Sequence, residues 1–300
     1  MAKSSITINI EYWTLRSICA IVNLSPYSLA MGIARLFGKF AFYVIRFKRT
    51  RTIQRIRSVF PEKSDEEVKL IALRSLENVF MTAVEMMRAP SLDRAWMDKH
   101  VVNGRYHKDL LQQLVDEGSG VVIMVPHSGN WYMPAWAMAK YGLRLFAIAA
   151  RQRNPKLNRW MNRQCGDIEV LDRDDKSTLG SIKARLKEGK AFAILPDLRV
   201  RKRDVEVDFF GGKANVSHAG ARFAVYNNSP IVVAMMRRDK NMHIIDYLST
   251  LRPNSEAKDK HAEAIRLTRE VMKCLDDHIH RHPCDWYWYN KRWILEPPTE

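Results

Sequence analysis

The sequence predicts an α/β fold, a mainly parallel central sheet flanked by helices, with an N-terminal membrane-associated helical region ahead of it. Three observations carry this expectation. Short apolar β-type runs recur at 120–125, 143–150, 191–195 and 231–235, with helix-patterned stretches between them. The run Gly120-Val-Val-Ile-Met-Val125 is continuous rather than alternating, as in a strand buried on both faces. Residues 12–45 are the most apolar stretch and read as helix.

That first stretch divides at Ser25-Pro26, which suits a turn and the start of a second helix. Tyr27 to Ile45 would have spanning length but for Arg35 and Lys39, which share one helical face. A charge at mid-bilayer depth costs about 2.5–3.5 kcal/mol. An interfacial amphipathic helix leaves both cations in water. Arg46, Lys48, Arg49, Arg51, Arg55 and Arg57 follow, a cluster that attracts anionic headgroups at about 1 kcal/mol per cation. The alternative is a core helix followed by a solvated basic helix. Met1 to Ile10 is polar and shows no secretory cleavage pattern. The expected organisation is a membrane-associated helical segment at 1–50 and an α/β domain at 51–300.

Residues 62–90 read as a helix. Ser64 is its N-cap, Asp65, Glu66 and Glu67 are first-turn acids, and Pro90 ends it. Further helices are expected from Pro134, over Leu179–Leu186 and over Ala262–His280. Trp286 and Trp288 alternate with Tyr287 and Tyr289, which suits a strand-like segment packed on the core.

Of the 300 residues, 49 are Lys or Arg and 33 are Asp or Glu, a net charge of +16. Such a field attracts polyanions: nucleic acid, anionic lipid, phosphorylated sugars or an acidic carrier protein. No nucleic-acid-binding motif accompanies the charge, so no nucleic-acid partner is expected. Cys19, Cys165, Cys274 and Cys284 form no CxxC pair and have no zinc spacing. They read as free thiols in a reducing compartment.

In α/β sheets, reactive groups gather beyond the carboxyl ends of strands. Two such places stand out, Pro126-His127-Ser128-Gly129-Asn130-Trp131 and Pro196-Asp197-Leu198-Arg199. His127 is a general-base candidate, since neutral imidazole takes a proton from an attacking hydroxyl near physiological pH. It could equally cap the next helix. Gly129 allows close backbone approach, and Asn130 can donate or orient a hydrogen bond. Arg151 and Arg163 have the fork that binds phosphate. Arg199, Arg201, Lys202 and Arg203 form a basic loop, with Arg173 as a possible neighbour, that could meet a phosphate or simply be solvated.

The segment HSGNW after an apolar strand resembles the HxGNW motif of the lipid A late acyltransferases, within the lysophospholipid acyltransferase superfamily. Arg151 with Asn154-Pro155, Pro196-Asp197, Phe209-Phe210-Gly211, Ala219-Gly220-Ala221-Arg222 and the Trp286 to Trp293 close are similar to family segments in the same order. The resemblance spans about residues 10–295. It implies a glycerolipid acyltransferase-like fold, with the catalytic domain over 51–300. It implies an acyl carrier protein or acyl-CoA donor and a lipid A precursor or related glycolipid acceptor. His127 and Asp197 would be catalytic, and Asn130, Arg151, Asn154, Arg163 and Arg199 substrate-binding. The place would be the cytoplasmic face of the bacterial inner membrane, peripheral or monotopic, against an anionic surface. No metal or other cofactor is implied.

The family dyad is His-x-x-x-x-Asp or His-x-x-x-x-Glu, whose carboxylate orients the imidazole and stabilises the imidazolium. Here that position is Tyr132, and Leu198 stands where the family has Gln. Three explanations stay open: another acid such as Asp197 serves His127, the donor or acceptor differs and includes an aminoacyl group, or catalysis is lost. Tyr132 is expected to point toward the site opened by His127, and Tyr132→Glu to restore the ordinary dyad. A non-catalytic lipid-binding protein is a rival function, as is a nucleic-acid-binding module.

Overall fold

The computed structural model describes residues 4–296. Residues 1–3 and 297–300 lie outside it, so the readings of the polar start and of the two outer segment ends rest partly on residues not described. The chain opens with α1 (Ser5–Leu24) and α2 (Tyr27–Tyr43), divided at Ser25-Pro26 as expected. Next come α3 (Arg49–Val59), α4 (Asp65–Arg88), a 3₁₀ turn at Ala89–Ser91 and α5 (Arg94–His100). Ser64 caps α4 with a full capping box: Ser64 Oγ accepts from Glu67 N, and the Glu67 carboxylate accepts from Ser64 N at 2.9 Å.

The α/β part follows in order: β1 (Val101–Val102), α6 (Gly104–Asp116), β2 (Val121–Met124), α7 (Met133–Lys140), β3 (Leu145–Ala149), α8 (Pro155–Gln164), β4 (Glu169–Asp172), α9 (Thr178–Lys187) and β5 (Ala191–Ile194). A hairpin of β6 (Val205–Phe209) and β7 (Gly212–Val216) interrupts the alternation. Then come α10 (Ala219–Asn227), β8 (Ile231–Asp239), β9 (Met242–Leu251) and α11 (Lys260–Arg281).

Seven strands form one sheet in the order β1-β9-β8-β2-β5-β3-β4. All its pairs are parallel except β8 with β9. The fold is therefore mixed α/β with a mostly parallel central sheet flanked by helices. Every residue of β2 is buried, as its unbroken apolar run requires. One apolar core lies between the sheet and α10 and α11, and continues to α3, α4 and the C-terminal aromatics. A second lies on the other side, against α5, α6 and α7. Trp286, Trp288 and Tyr289 are fully buried, but the segment joins the protein by an isolated bridge rather than as a sheet strand.

Helix α2 lies close on α4: a Cβ at Gly38 would come within 2.8 Å of the Glu77 Cα. Its buried face is Ala30, Met31, Ala34, Gly38, Ala41 and Phe42. Its other face exposes Leu29, Ile33, Leu36, Phe37 and Phe40. Arg35 is half-buried and donates to the Lys240 carbonyl at 2.8 Å, while Lys39 stays exposed. Among the described residues, no helix is long and apolar enough to cross a membrane.

Candidate active site

Strands β2 and β5 are parallel neighbours, and Met124 pairs with Ile194. Three residues beyond those ends stand His127 and Asp197, so the equal offset delivers both side chains to one point. His127 Nδ1 lies 2.8 Å from Asp197 Oδ1. The other carboxylate oxygen, Oδ2, accepts from His127 N at 2.9 Å and from the Trp286 indole N–H at 2.8 Å. Asp197 is 1% exposed, whereas the His127 side chain is 14% exposed. Burial alone would push the Asp197 carboxyl up. The His127 ring and the surrounding N–H donors reverse this and hold it below the ordinary carboxylate value. An ionised Asp197 fixes the proton of the imidazole on Nδ1, which leaves the lone pair on Nε2.

The loop after His127 is held from three sides. Gly129 has φ of +51°, and a Cβ there would come within 2.9 Å of the Met236 carbonyl, so the tight passage over β8 needs glycine. Thr82 Oγ1 donates to the Gly129 carbonyl at 3.1 Å. The Asn130 side chain donates to Glu85 Oε2 at 2.8 Å and accepts from Tyr132 N at 3.0 Å.

Glu85 centres a second buried polar group. Its oxygens accept from Arg238 Nη1 and Nη2, both at 2.7 Å, and from the Tyr27 hydroxyl at 2.7 Å, and His243 Nε2 lies 3.0 Å away. Burial opposes this charge, but Arg238 and then His243 hold the Glu85 carboxyl well below its usual range. Sequence reading missed Glu85. Its signal was a glutamate on the buried stripe Asn78, Met81, Thr82, Glu85 of α4.

Beside the His–Asp pair opens a largely apolar cavity of about 690 Å³. Trp131, Pro196 and Leu198, close to the pair in the chain, line it, as do Tyr132, Leu145 and Ile148. Tyr132 stacks on Trp136, with ring centroids 5.5 Å apart and planes 18° apart. The ring that meets His127 from this side is Trp131, at 5.3 Å. Tyr132 thus belongs to the cavity wall, and burial pushes its phenol pKa up. The carboxylate beside His127 is Asp197, from the strand across the site.

The remaining residues singled out in the sequence spread around this centre. Asn154 caps α8, accepting from Lys156 N at 2.9 Å, and donates to the Ile8 carbonyl and to Glu11, which ties α8 to α1. Arg151 is exposed and pairs with Asp172 at 2.6 Å. With Asn158 they line a recess of about 100 Å³ that shares lining residues with the main cavity. Arg163 is exposed on the last turn of α8, and Arg173 lines the main cavity. Arg199 is buried, bridged to Val216, with Nε donating to the Glu296 carbonyl at 2.7 Å.

Among the described residues one group has metal-ligand proximity: the ligand atoms of Asp246, His278 and His282 lie within 4.8 Å of one another. Arg237 already grips both oxygens of that carboxylate, which places a cation where a metal would need to sit. All four cysteines are free thiols.

The comparisons with known proteins agree with this architecture. The family model described as bacterial lipid A biosynthesis acyltransferase matches residues 2–294. A phosphatidylinositol mannoside acyltransferase of Mycolicibacterium smegmatis is 22% identical over 293 residues, covering 93% of this chain and 90% of that protein. Lipid A biosynthesis acyltransferase 2 of Shigella flexneri is 23% identical over 295 residues, covering 93% of this chain and 88% of that protein. A phosphatidylinositol mannoside acyltransferase of Mycobacterium tuberculosis is 21% identical over 307 residues, covering 98% and 92%. With a family match over nearly its whole length and a histidine–carboxylate pair at the ends of two parallel strands, the chain belongs to the bacterial lipid A biosynthesis acyltransferase family and is an acyltransferase.

Proposed function

We propose that this enzyme moves a fatty acyl group from a thioester donor, acyl carrier protein or acyl-CoA, to a hydroxyl of a lipid A precursor or a related glycolipid. The observation that carries this reading is the His127–Asp197 pair beside an apolar cavity of about 690 Å³. Ligand pockets commonly span roughly 300–1,000 Å³, and each buried methylene adds about 0.8 kcal/mol. An aminoacyl donor fits less well, because its ammonium group would meet a mostly apolar wall. The relatives named above carry names for acylation of a mannoside glycolipid and for lipid A biosynthesis, which supports a glycolipid acceptor.

In the proposed reaction, His127 Nε2 takes the proton of the acceptor hydroxyl as its oxygen attacks the thioester carbonyl. Asp197 stabilises the imidazolium through Nδ1–H. The tetrahedral intermediate collapses with cleavage of the C–S bond. The thiolate leaves and takes the proton back from His127, and the acyl ester of the glycolipid remains. Arg151 and Arg163 are exposed cations suited to a headgroup phosphate, and the net charge of +16 favours an acidic carrier or phosphorylated lipid.

The place of action in this reading is the cytoplasmic face of the inner membrane. Helices α1 and α2 expose Trp13, Leu24, Leu36, Phe37 and Phe40, and Val44, Ile45 and Phe47 continue the patch beside Arg46, Lys48 and Arg49. Exposed apolar side chains followed along the chain by cations suit the boundary between acyl chains and anionic headgroups.

The test is transfer of a labelled acyl chain from acyl carrier protein or CoA to a purified glycolipid in vesicles. His127→Ala should lower turnover by about 10²- to 10⁴-fold. Undiminished transfer by that variant would overturn the assignment of the base. Preferred transfer of an aminoacyl group would overturn the assignment of the donor.

A further inference from the structure

The segment Asp285–Tyr287 lies against the loop that carries His127. Gly129 N donates to the Asp285 carbonyl at 2.8 Å, and Tyr287 N donates to the His127 carbonyl at 2.8 Å. These two bonds flank an antiparallel bridge between Ser128 and Trp286. The backbone of Trp286 is thereby fixed relative to His127. Its indole, 1% exposed, reaches across to the neighbouring strand end and gives its N–H to Asp197 Oδ2 at 2.8 Å. Ring packing holds the indole there, with Phe210 edge-on at 5.1 Å and Trp288 edge-on at 4.8 Å.

A carboxylate has two oxygens, and His127 Nδ1 needs one of them at a fixed angle. Here Oδ2 is taken by two N–H donors, His127 N and the Trp286 indole, so rotation of Asp197 would break both bonds. Oδ1 is left facing the imidazole. We propose that Trp286 is a positioning residue of the acyl transfer, locking Asp197 through its indole N–H in the orientation that serves His127. This rests on the reading of His127 and Asp197 as base and orienting acid. Trp286 touches the carboxylate and not the reacting atoms, and its effect passes through Asp197.

Trp288 supplies the comparison residue. It is also fully buried in the same aromatic cluster, but its indole N–H goes to the Pro283 carbonyl at 2.7 Å. Trp286→Phe and Trp288→Phe therefore remove similar packing, and only the first removes a donor from Asp197. Purified full-length variants are compared by melting temperature, kcat, KM for the acyl donor and the pH profile of kcat/KM.

Trp286→Phe should lower kcat roughly 10-fold or more, the size expected for a lost hydrogen bond to a charged group. KM should stay close to that of the parent. The acid limb of the pH profile should move to higher pH, because a carboxylate deprived of a donor holds a shared proton more tightly. Trp288→Phe should lower the melting temperature comparably and leave the acid limb in place. Trp286→His, which retains a ring N–H, should recover part of kcat. If the two Phe variants lose rate equally and neither moves the acid limb, Trp286 is only core and the proposal fails. That outcome is separate from the reading it rests on, which falls only if His127→Ala keeps its turnover.

Discussion

Two histidine–carboxylate pairs lie within the described residues close to the loop 127–132, and only one suits catalysis. At His243 and Glu85 the carboxylate is gripped by both terminal nitrogens of Arg238, and it also accepts from Tyr27 and Asn130. Its charge is neutralised and its histidine is wholly buried, with the imidazole pKa lowered by that burial. At His127 and Asp197 no Arg or Lys pairs with the carboxylate among the described contacts, and the imidazole itself is the positive partner that the site can generate. His127 reaches partial exposure beside a cavity, and its bonds to Asp197 run through N and Nδ1, leaving Nε2 out of the pair. Both pairs set an imidazole against a carboxylate. An acid without a permanent countercharge, and a lone pair with somewhere to point, separate chemistry from architecture.

The sharpest way to break this contrast is to neutralise each acid. Asp197→Asn should lower kcat by about 10²- to 10⁴-fold with little change in melting temperature, since the amide keeps the shape but not the charge that supports imidazolium. Glu85→Gln should do the reverse. It leaves Arg238 as an unpaired buried cation, a loss of roughly 3–5 kcal/mol in stability, with the remaining folded fraction still turning over. Equal kinetic losses from the two variants would erase the distinction.

Acid titration sharpens the same point. Glu85 is held below its ordinary value against the opposing effect of burial, and burial lowers His243. Both groups therefore bind protons less readily folded than unfolded. Their stabilisation is complete above about pH 6.5, the ordinary histidine value, and is lost as pH falls through the folded values. Urea midpoints of the parent should be flat between pH 7 and 8 and fall below pH 6. In Glu85→Gln the part of that fall belonging to the carboxylate should be missing.

The smallest effect is expected at Tyr132. Tyr132→Phe removes one neutral hydroxyl from the cavity wall and should change kcat by about threefold or less. Tyr132→Glu should reduce fatty-acyl transfer and stability rather than restore a dyad, because it puts a carboxyl among apolar lining residues while Asp197 already serves His127. A rate gain in Tyr132→Glu would show that a side chain at 132 does reach the imidazole.

Much of the frame was legible in the chain. Continuous apolar runs ending at Val125 and Leu195 marked two central strands, and the residues just past them proved to be the pair. Ser64 and Glu67 announced the start of α4. Strand β4, which is only half-buried, and β9, which is polar in places, lacked such runs and were not foreseen. Side-chain partners were the least legible. Asn130 and Asn154 looked like ligands for a substrate, and their amides are engaged with Glu85 and with α1. Nothing local to residue 130 points to residue 85, because that bond depends on how α4 crosses the sheet. Trp286 read correctly as core, but a hydrophobic pattern says nothing about where an indole N–H will go.

The reach of the C-terminal bridge has a consequence for how the molecule comes into being. His127 and Asp197 are 70 positions apart, and Trp286 stands 89 positions beyond Asp197. Contacts of such sequence separation form late, because a long loop must close before they reward the chain. During synthesis the sheet strands β2 and β5 can pair while residues 285–287 are still inside the ribosome. A nascent chain at that stage would hold His127 and Asp197 at paired strand ends yet lack the brace across them. Maturation of the site thus waits for residues 285–287, and chains that stop short of them would be poor transferases.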